Sequence, residues 1–85
     1  MKIVDLELDL HRLTVEEALP ELDSFLYKAF SAGFKTVCIN HGRGSGILRQ
    51  VVHRELKKSS MVKAFRAGGG GEGGIGVTIV ELSEH

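Results

Sequence analysis

The sequence predicts a two-layer α/β sandwich (α+β) of βαβαββ order, and three observations predict it. A strand-like alternation opens the chain, two helical periodicities follow with a short apolar run between them, and a glycine tract then joins two further strand-like runs. Right-handed crossovers put both helices on one face and make the first three strands parallel, and the closing hairpin makes the fourth antiparallel to the third. Eighty-five residues, 42% hydrophobic and 26% charged, suit one domain over 1–85 with a single thin core.

Residues 3–10 alternate, with Val4, Leu6, Leu8 and Leu10 on one side and Asp5, Glu7 and Asp9 on the other, which is the period of a half-buried strand. Thr14 and Glu17 form a capping-box signature. Val15, Ala18, Leu19, Leu22, Phe25, Leu26, Ala29 and Phe30 then recur at helical spacing as far as Gly33, giving a helix over 15–32. Pro20 lies beyond the first turn of that helix, where it removes a backbone bond and either bends the helix or delays its regular part. Residues 35–40 read as a second strand. A second helix over 45–58 turns Leu48, Val51, Val52 and Leu56 inward and Arg49, His53, Arg54 and Lys57 outward. Residues 61–67 alternate as a third strand. Seven of the nine residues from 68 to 76 are glycine, the composition of a long, mobile hairpin loop, and residues 77–82 form the fourth strand.

Composition excludes several classes. The single cysteine, Cys38, permits no intramolecular disulfide, and its apolar run makes it a buried structural thiol suited to a reducing compartment. No apolar stretch reaches membrane-spanning length, and acids stand where a signal peptide needs an unbroken apolar region, so the expected location is cytoplasmic, with no membrane partner. The net charge of zero conceals segregation: residues 35–66 carry a net +7, residues 1–34 a net −4 and residues 67–85 a net −3. A basic surface around the second helix, fit for nucleic acid, follows from that distribution.

The ends of the three parallel strands place three loops at one sheet edge, the default ligand site of an open α/β sheet. Asp9, His11, His41 and Arg43 meet there. Gly42, Gly44 and Gly46 let backbone N–H groups approach an anion, and the helix beginning near Ser45 points its partial positive end the same way, which makes phosphate the expected ligand. The turn is neither a P-loop nor a dinucleotide fingerprint, since Ile47 occupies the place of the third glycine. Two histidines and an arginine are the inventory for phosphodiester cleavage, in which His11 and His41 exchange protons while Arg43 and backbone N–H groups hold the phosphate. Asp9 orients His11 or, with one histidine, ligates a divalent metal, Mg or Mn, that activates water. Arg49, Arg54 and Lys57 extend the cationic face, and His53 and His85 read as surface residues.

With these pieces placed, the chain resembles the Smr (small MutS-related) domain, found at the C-terminus of a MutS paralogue and in stand-alone proteins. Leu8-Asp9-Leu10-His11 followed by Thr14-Val15-Glu16-Glu17-Ala18 looks like the family's first motif. His41-Gly42-Arg43-Gly44-Ser45-Gly46-Ile47-Leu48-Arg49 looks like its second, and residues 73–82 look like its closing strand. The resemblance implies a mixed four-stranded sheet similar to that of the C-terminal domain of translation initiation factor three, with the last strand inserted beside strands two and three. It also implies DNA or RNA binding and, in several members, endonuclease activity that nicks DNA or cleaves structured RNA. The alternative is a non-catalytic nucleic-acid-binding module that recruits a larger repair or ribosome-associated machine, with a ribosome or a MutS-like ATPase domain as partner. Arg12 stands where the family usually has glycine and adds a phosphate-contacting candidate.

Overall fold

The computed structural model describes residues 6–84, so residues 3–5 of the expected first strand, and His85, lie outside the described part. Strand β1 covers Leu6–Asp9, helix α1 Val15–Ser31, β2 Thr36–Asn40, α2 Ile47–Lys58, β3 Val62–Ala67 and β4 Val77–Leu82. Helix α1 starts where its cap dictates. The Glu17 N–H donates to Thr14 Oγ1 at 3.2 Å, and the Thr14 N–H donates to Glu17 Oε1 at 2.9 Å. Pro20 lies within α1 without delaying its start, and the helix continues to Ser31. Ala18, Leu22, Leu26 and Ala29 repeat at three- and four-residue intervals, and all four are buried.

The sheet order is β1-β2-β4-β3. β1 runs parallel to β2 from Leu6↔Val37 to Asp9↔Asn40, while β4 is antiparallel to both β2 and β3. The last strand is therefore central, as the resemblance implies, and β3 points the same way as β1 and β2. The core fills the space between this sheet and the helices: Leu10, Val37, Ile39, Val80 and Leu82 meet the buried face of α1 together with Val52 and Leu56 of α2. On the alternate positions of the central strands, Cys38, Val77 and Ile79 form a separate buried cluster. Burial raises the Cys38 thiol pKa, consistent with an unreactive structural residue.

The glycine tract departs from the expected open loop. It folds into two short 3₁₀ turns, Gly70–Glu72 and Gly74–Gly76. Glu72, its sole charged residue, receives two hydrogen bonds from Arg66, at 2.7 and 2.8 Å, and one from the Gly69 N–H at 2.7 Å. These donors push the Glu72 carboxyl down to about 2. The Gly74 N–H donates to Gly69 O at 2.9 Å and closes the fold-back. One ion pair thus gives a defined shape to a composition that by itself reads as a flexible linker.

Candidate functional site

Asp9, Asn40 and Val77 stand in register at one end of the sheet, and the chain segments leaving or entering them build the site. After β1, the Leu10 N–H donates to Asn40 O at 2.7 Å and leads the chain into an exposed turn. There Asp9 Oδ1 accepts the His11 N–H at 3.0 Å and also bonds the His11 ring at Nδ1. These bonds, with the ring bond first, lower the Asp9 pKa and keep it a carboxylate. A carboxylate on Nδ1 selects the tautomer whose Nε2 lone pair points away from Asp9. That nitrogen accepts the Arg12 Nε–H at 3.3 Å on the exposed side of the turn.

The second turn is held from beneath. Gly42 has φ +82°, and a Cβ there would lie 3.0 Å from His11 Cβ, so the close approach of the two loops requires glycine. Its N–H donates to Gly76 O at 2.9 Å and to Asn40 Oδ1 at 3.1 Å. This amide is consequently committed within the protein and is not one of the anion donors the sequence led us to expect. The open donors come later. Gly46, with φ +87°, caps α2 without a side-chain bond, and the first bond within the helix is from the Gln50 N–H to Gly46 O at 3.0 Å. The Leu48 and Arg49 N–H groups precede it and face no carbonyl of their own helix. With them, His11, Arg43, Ser45 and Arg49 border a cleft of about 390 Å³.

Arg43 lies across the end of the glycine tract, close enough that a Cβ on Gly76 would come within 3.1 Å of its Cγ. Arg43, Arg49, Arg54 and Lys57 are exposed, and among the described residues none of them forms an ion pair. Arg49 also borders a second depression, of about 420 Å³, with Gln50, His53, Arg54 and Lys57. The cationic surface therefore continues from the turn along α2. Among the described residues no three His, Cys, Asp or Glu side chains gather as a metal-ligand set. No helix among the described residues is long and apolar enough to cross a membrane.

His41 and His53, the other histidines among the described residues, are both engaged inside the protein. His41 borders the cleft but its ring is buried, 4% exposed, with Nδ1–H donating to Gly42 O at 3.2 Å and Nε2 bonded to Thr78 Oγ1 at 2.8 Å. Burial is the main cause that lowers its pKa, reinforced by Arg49 and opposed by the bond to Gly42. His53 is half-buried, not a surface residue. Its Nε2 bonds the same Thr78 Oγ1 at 2.8 Å, and its ring packs 4.9 Å from that of Phe65. Thr78, Asn40 and Gly76 are the participants that sequence reasoning missed. The one available signal was a hydroxyl, Thr78, among the otherwise apolar inward positions Val80 and Leu82 of its strand.

Comparison with known proteins places this geometry. The family model described as the Smr domain matches residues 8–83. The endonuclease MutS2 of Brevibacillus brevis is 48% identical over 79 residues, covering 93% of this chain and 10% of the relative. That of Pelotomaculum thermopropionicum is 49% identical over 77 residues, 91% of this chain and again 10% of the relative. The chain thus spans about a tenth of the length of these curated relatives. Among solved structures, the Smr domain of Thermus thermophilus MutS2 superposes with a TM-score of 0.90 at 43% identity, covering 93% of this chain and 99% of that one. YdaL, a stand-alone small MutS-related protein from Escherichia coli, gives 0.88 at 32% identity, covering 92% and 64%. On a family match over almost the whole described sequence and on two solved structures of the same fold, the chain belongs to the Smr domain family.

Proposed function

We propose that this domain is a cytoplasmic nucleic-acid-binding endonuclease domain that grips the phosphate backbone of DNA or structured RNA at the cleft beside α2 and cleaves it there. The observation that carries the reading is His11, held by Asp9 and bordering a cleft walled by Arg43 and Arg49 at the start of a helix that has no side-chain cap on its N-cap residue. With the Arg12 Nε–H displaced from it, His11 Nε2 takes the proton of the attacking hydroxyl or water, the P–O bond to the leaving oxygen breaks, and solvent protonates that oxygen. Asp9 meanwhile holds the ring and stabilises the imidazolium, and Arg43 with the first-turn N–H groups balances charge on the phosphate. Arg12, Gly44, Ser45 and Gly46 border the approach to that phosphate, and Arg49, Arg54 and Lys57 take the flanking ones. For a divalent ion the edge offers Asp9 Oδ2, a set that fits Mg or Mn only when phosphate and water oxygens complete the shell. Such an ion would supply charge neutralisation at the phosphate.

One observation favours a second reading. Both ring nitrogens of His41 are engaged inside the protein and His11 Nε2 holds the Arg12 Nε–H, so the site presents one exposed imidazole instead of an acid and base pair. A non-catalytic module that carries nucleic acid to a larger machine, a MutS-like parent chain or a ribosome, needs no more than that. Supercoiled plasmid and labelled structured RNA, incubated with the domain in EDTA, magnesium or manganese, separate the two. The endonuclease reading expects cleavage that His11→Ala abolishes with little change in binding. Salt-sensitive binding without cleavage in every arm would leave the recruiting module.

A further inference from the structure

We infer that Thr78 and His53 are positioning residues for the turn that carries Arg43, acting through His41 along a one-directional chain of hydrogen bonds. The inference rests on the phosphate-binding reading of that turn for its consequence, though not for its geometry. A threonine hydroxyl has one proton, and Thr78 Oγ1 lies 2.8 Å from two imidazole nitrogens, His41 Nε2 and His53 Nε2. At most one of these nitrogens can therefore accept, so at least one must donate. The far end decides which. The Gly42 carbonyl can only accept, so His41 Nδ1 carries a proton, and a neutral His41 then has its lone pair at Nε2. Thr78 O–H donates to that lone pair, and Thr78 Oγ1 must in turn accept His53 Nε2–H. Every hydrogen in the chain is thereby fixed, from α2 through β4 to the turn after β2.

The placement explains why two imidazoles and a hydroxyl stand where aliphatic side chains would pack more cheaply. Thr78 is fully buried, so its hydroxyl depends on these partners. Burial also holds both histidines below their usual pKa, which keeps the neutral pair that the chain requires. With the Gly42 N–H already tied to Gly76 O and Asn40 Oδ1, the bond from His41 fixes the other polar atom of the same residue. Gly42 lies so close to His11 that a Cβ would crowd against it, and it precedes Arg43, so its orientation sets the distance between the proposed proton acceptor and the proposed phosphate clamp.

The test combines long-range ¹H–¹⁵N spectra of the histidine rings, amide spectra of residues 42–44, and affinity for a fluorescently labelled DNA duplex. Wild-type His41 should show Nδ1 protonated and Nε2 bare, with His53 protonated at Nε2. Thr78→Val keeps the shape and removes the hydroxyl. It should release the His41 tautomer, shift or broaden the Gly42–Gly44 amides and weaken duplex binding about tenfold, while Thr78→Ser restores all three. His53→Phe, which keeps a ring on Phe65 and removes the donor, serves the same purpose if Thr78→Val does not fold. A His41 protonated at Nε2, or turn amides unmoved in a folded Thr78→Val or His53→Phe domain, would overturn the inference. A wild-type domain that binds no duplex would sink the phosphate reading alone, because the tautomer and amide signals judge the positioning chain independently.

Discussion

At the scale of single residues, the two inward histidines tie stability to pH in a direction that can be worked out. His41 and His53 both titrate below the ordinary value of 6.5, chiefly through burial; Arg49 and Lys57 face His53, and Arg49 faces His41. Above pH 6.5 each is neutral in the folded and unfolded chain, so their contribution is fully present. As pH falls below that value the unfolded chain takes up protons first, and stability is lost until the folded values are passed. Asp9 acts in a separate window, because its lowered pKa withdraws stability only as pH falls from 3.8 through the folded value. Urea midpoints measured through the range should be level at neutral pH and decline through mild acid, with a smaller decline in His53→Phe. A flat profile would mean that neither imidazole needs to be neutral. None of this was legible in the sequence. A histidine at an outward helical position and a threonine in an apolar strand are ordinary taken singly, and their meeting depends on the packing of α2 over β4.

At the scale of elements, legibility followed how local the determining chemistry is. The start of α1 was readable because Thr14 and Glu17 satisfy each other's backbone within one turn. Thr14→Ala should accordingly cost about 0.5–2 kcal/mol, read as a lower denaturant midpoint with an unchanged slope. A midpoint equal to wild type would show that packing of Ala18, Leu22 and Leu26 alone fixes the helix start. The glycine tract was not readable, since its shape comes from Arg66 on the preceding strand closing on Glu72, a pairing that composition does not encode. Helix α2 begins two residues later than its periodicity predicts, at Ile47, because Gly46 adopts a left-handed conformation at its cap. That delay keeps Gly44 and Ser45 in the turn and leaves them beside the cleft.

At the scale of the whole molecule, charge distribution carries more information than charge total. Acids and bases balance over the chain, yet the exposed arginines from the turn along α2 stand clear of carboxylate partners among the described residues. Arg49→Ala and Arg54→Ala should each weaken duplex binding and make the slope of log affinity against log salt shallower by about one. An unchanged slope would place the nucleic acid on another face. The layered fold and the apolar faces of both helices were legible from periodicity and crossover handedness, since those rules act on the entire chain, whereas the inward turn of His53 was not. The order of the sheet has a temporal consequence. β2 and β3 are not paired with each other, and both wait for β4, which supplies the Thr78 hydroxyl beneath the turn and follows directly on the Gly76 carbonyl. During synthesis the arginines and histidines emerge well before the strand that arranges them. A nascent chain therefore exposes the ingredients of the site without its geometry, and any nucleic acid nearby meets an assembled cleft only after β4 has slotted between its neighbours.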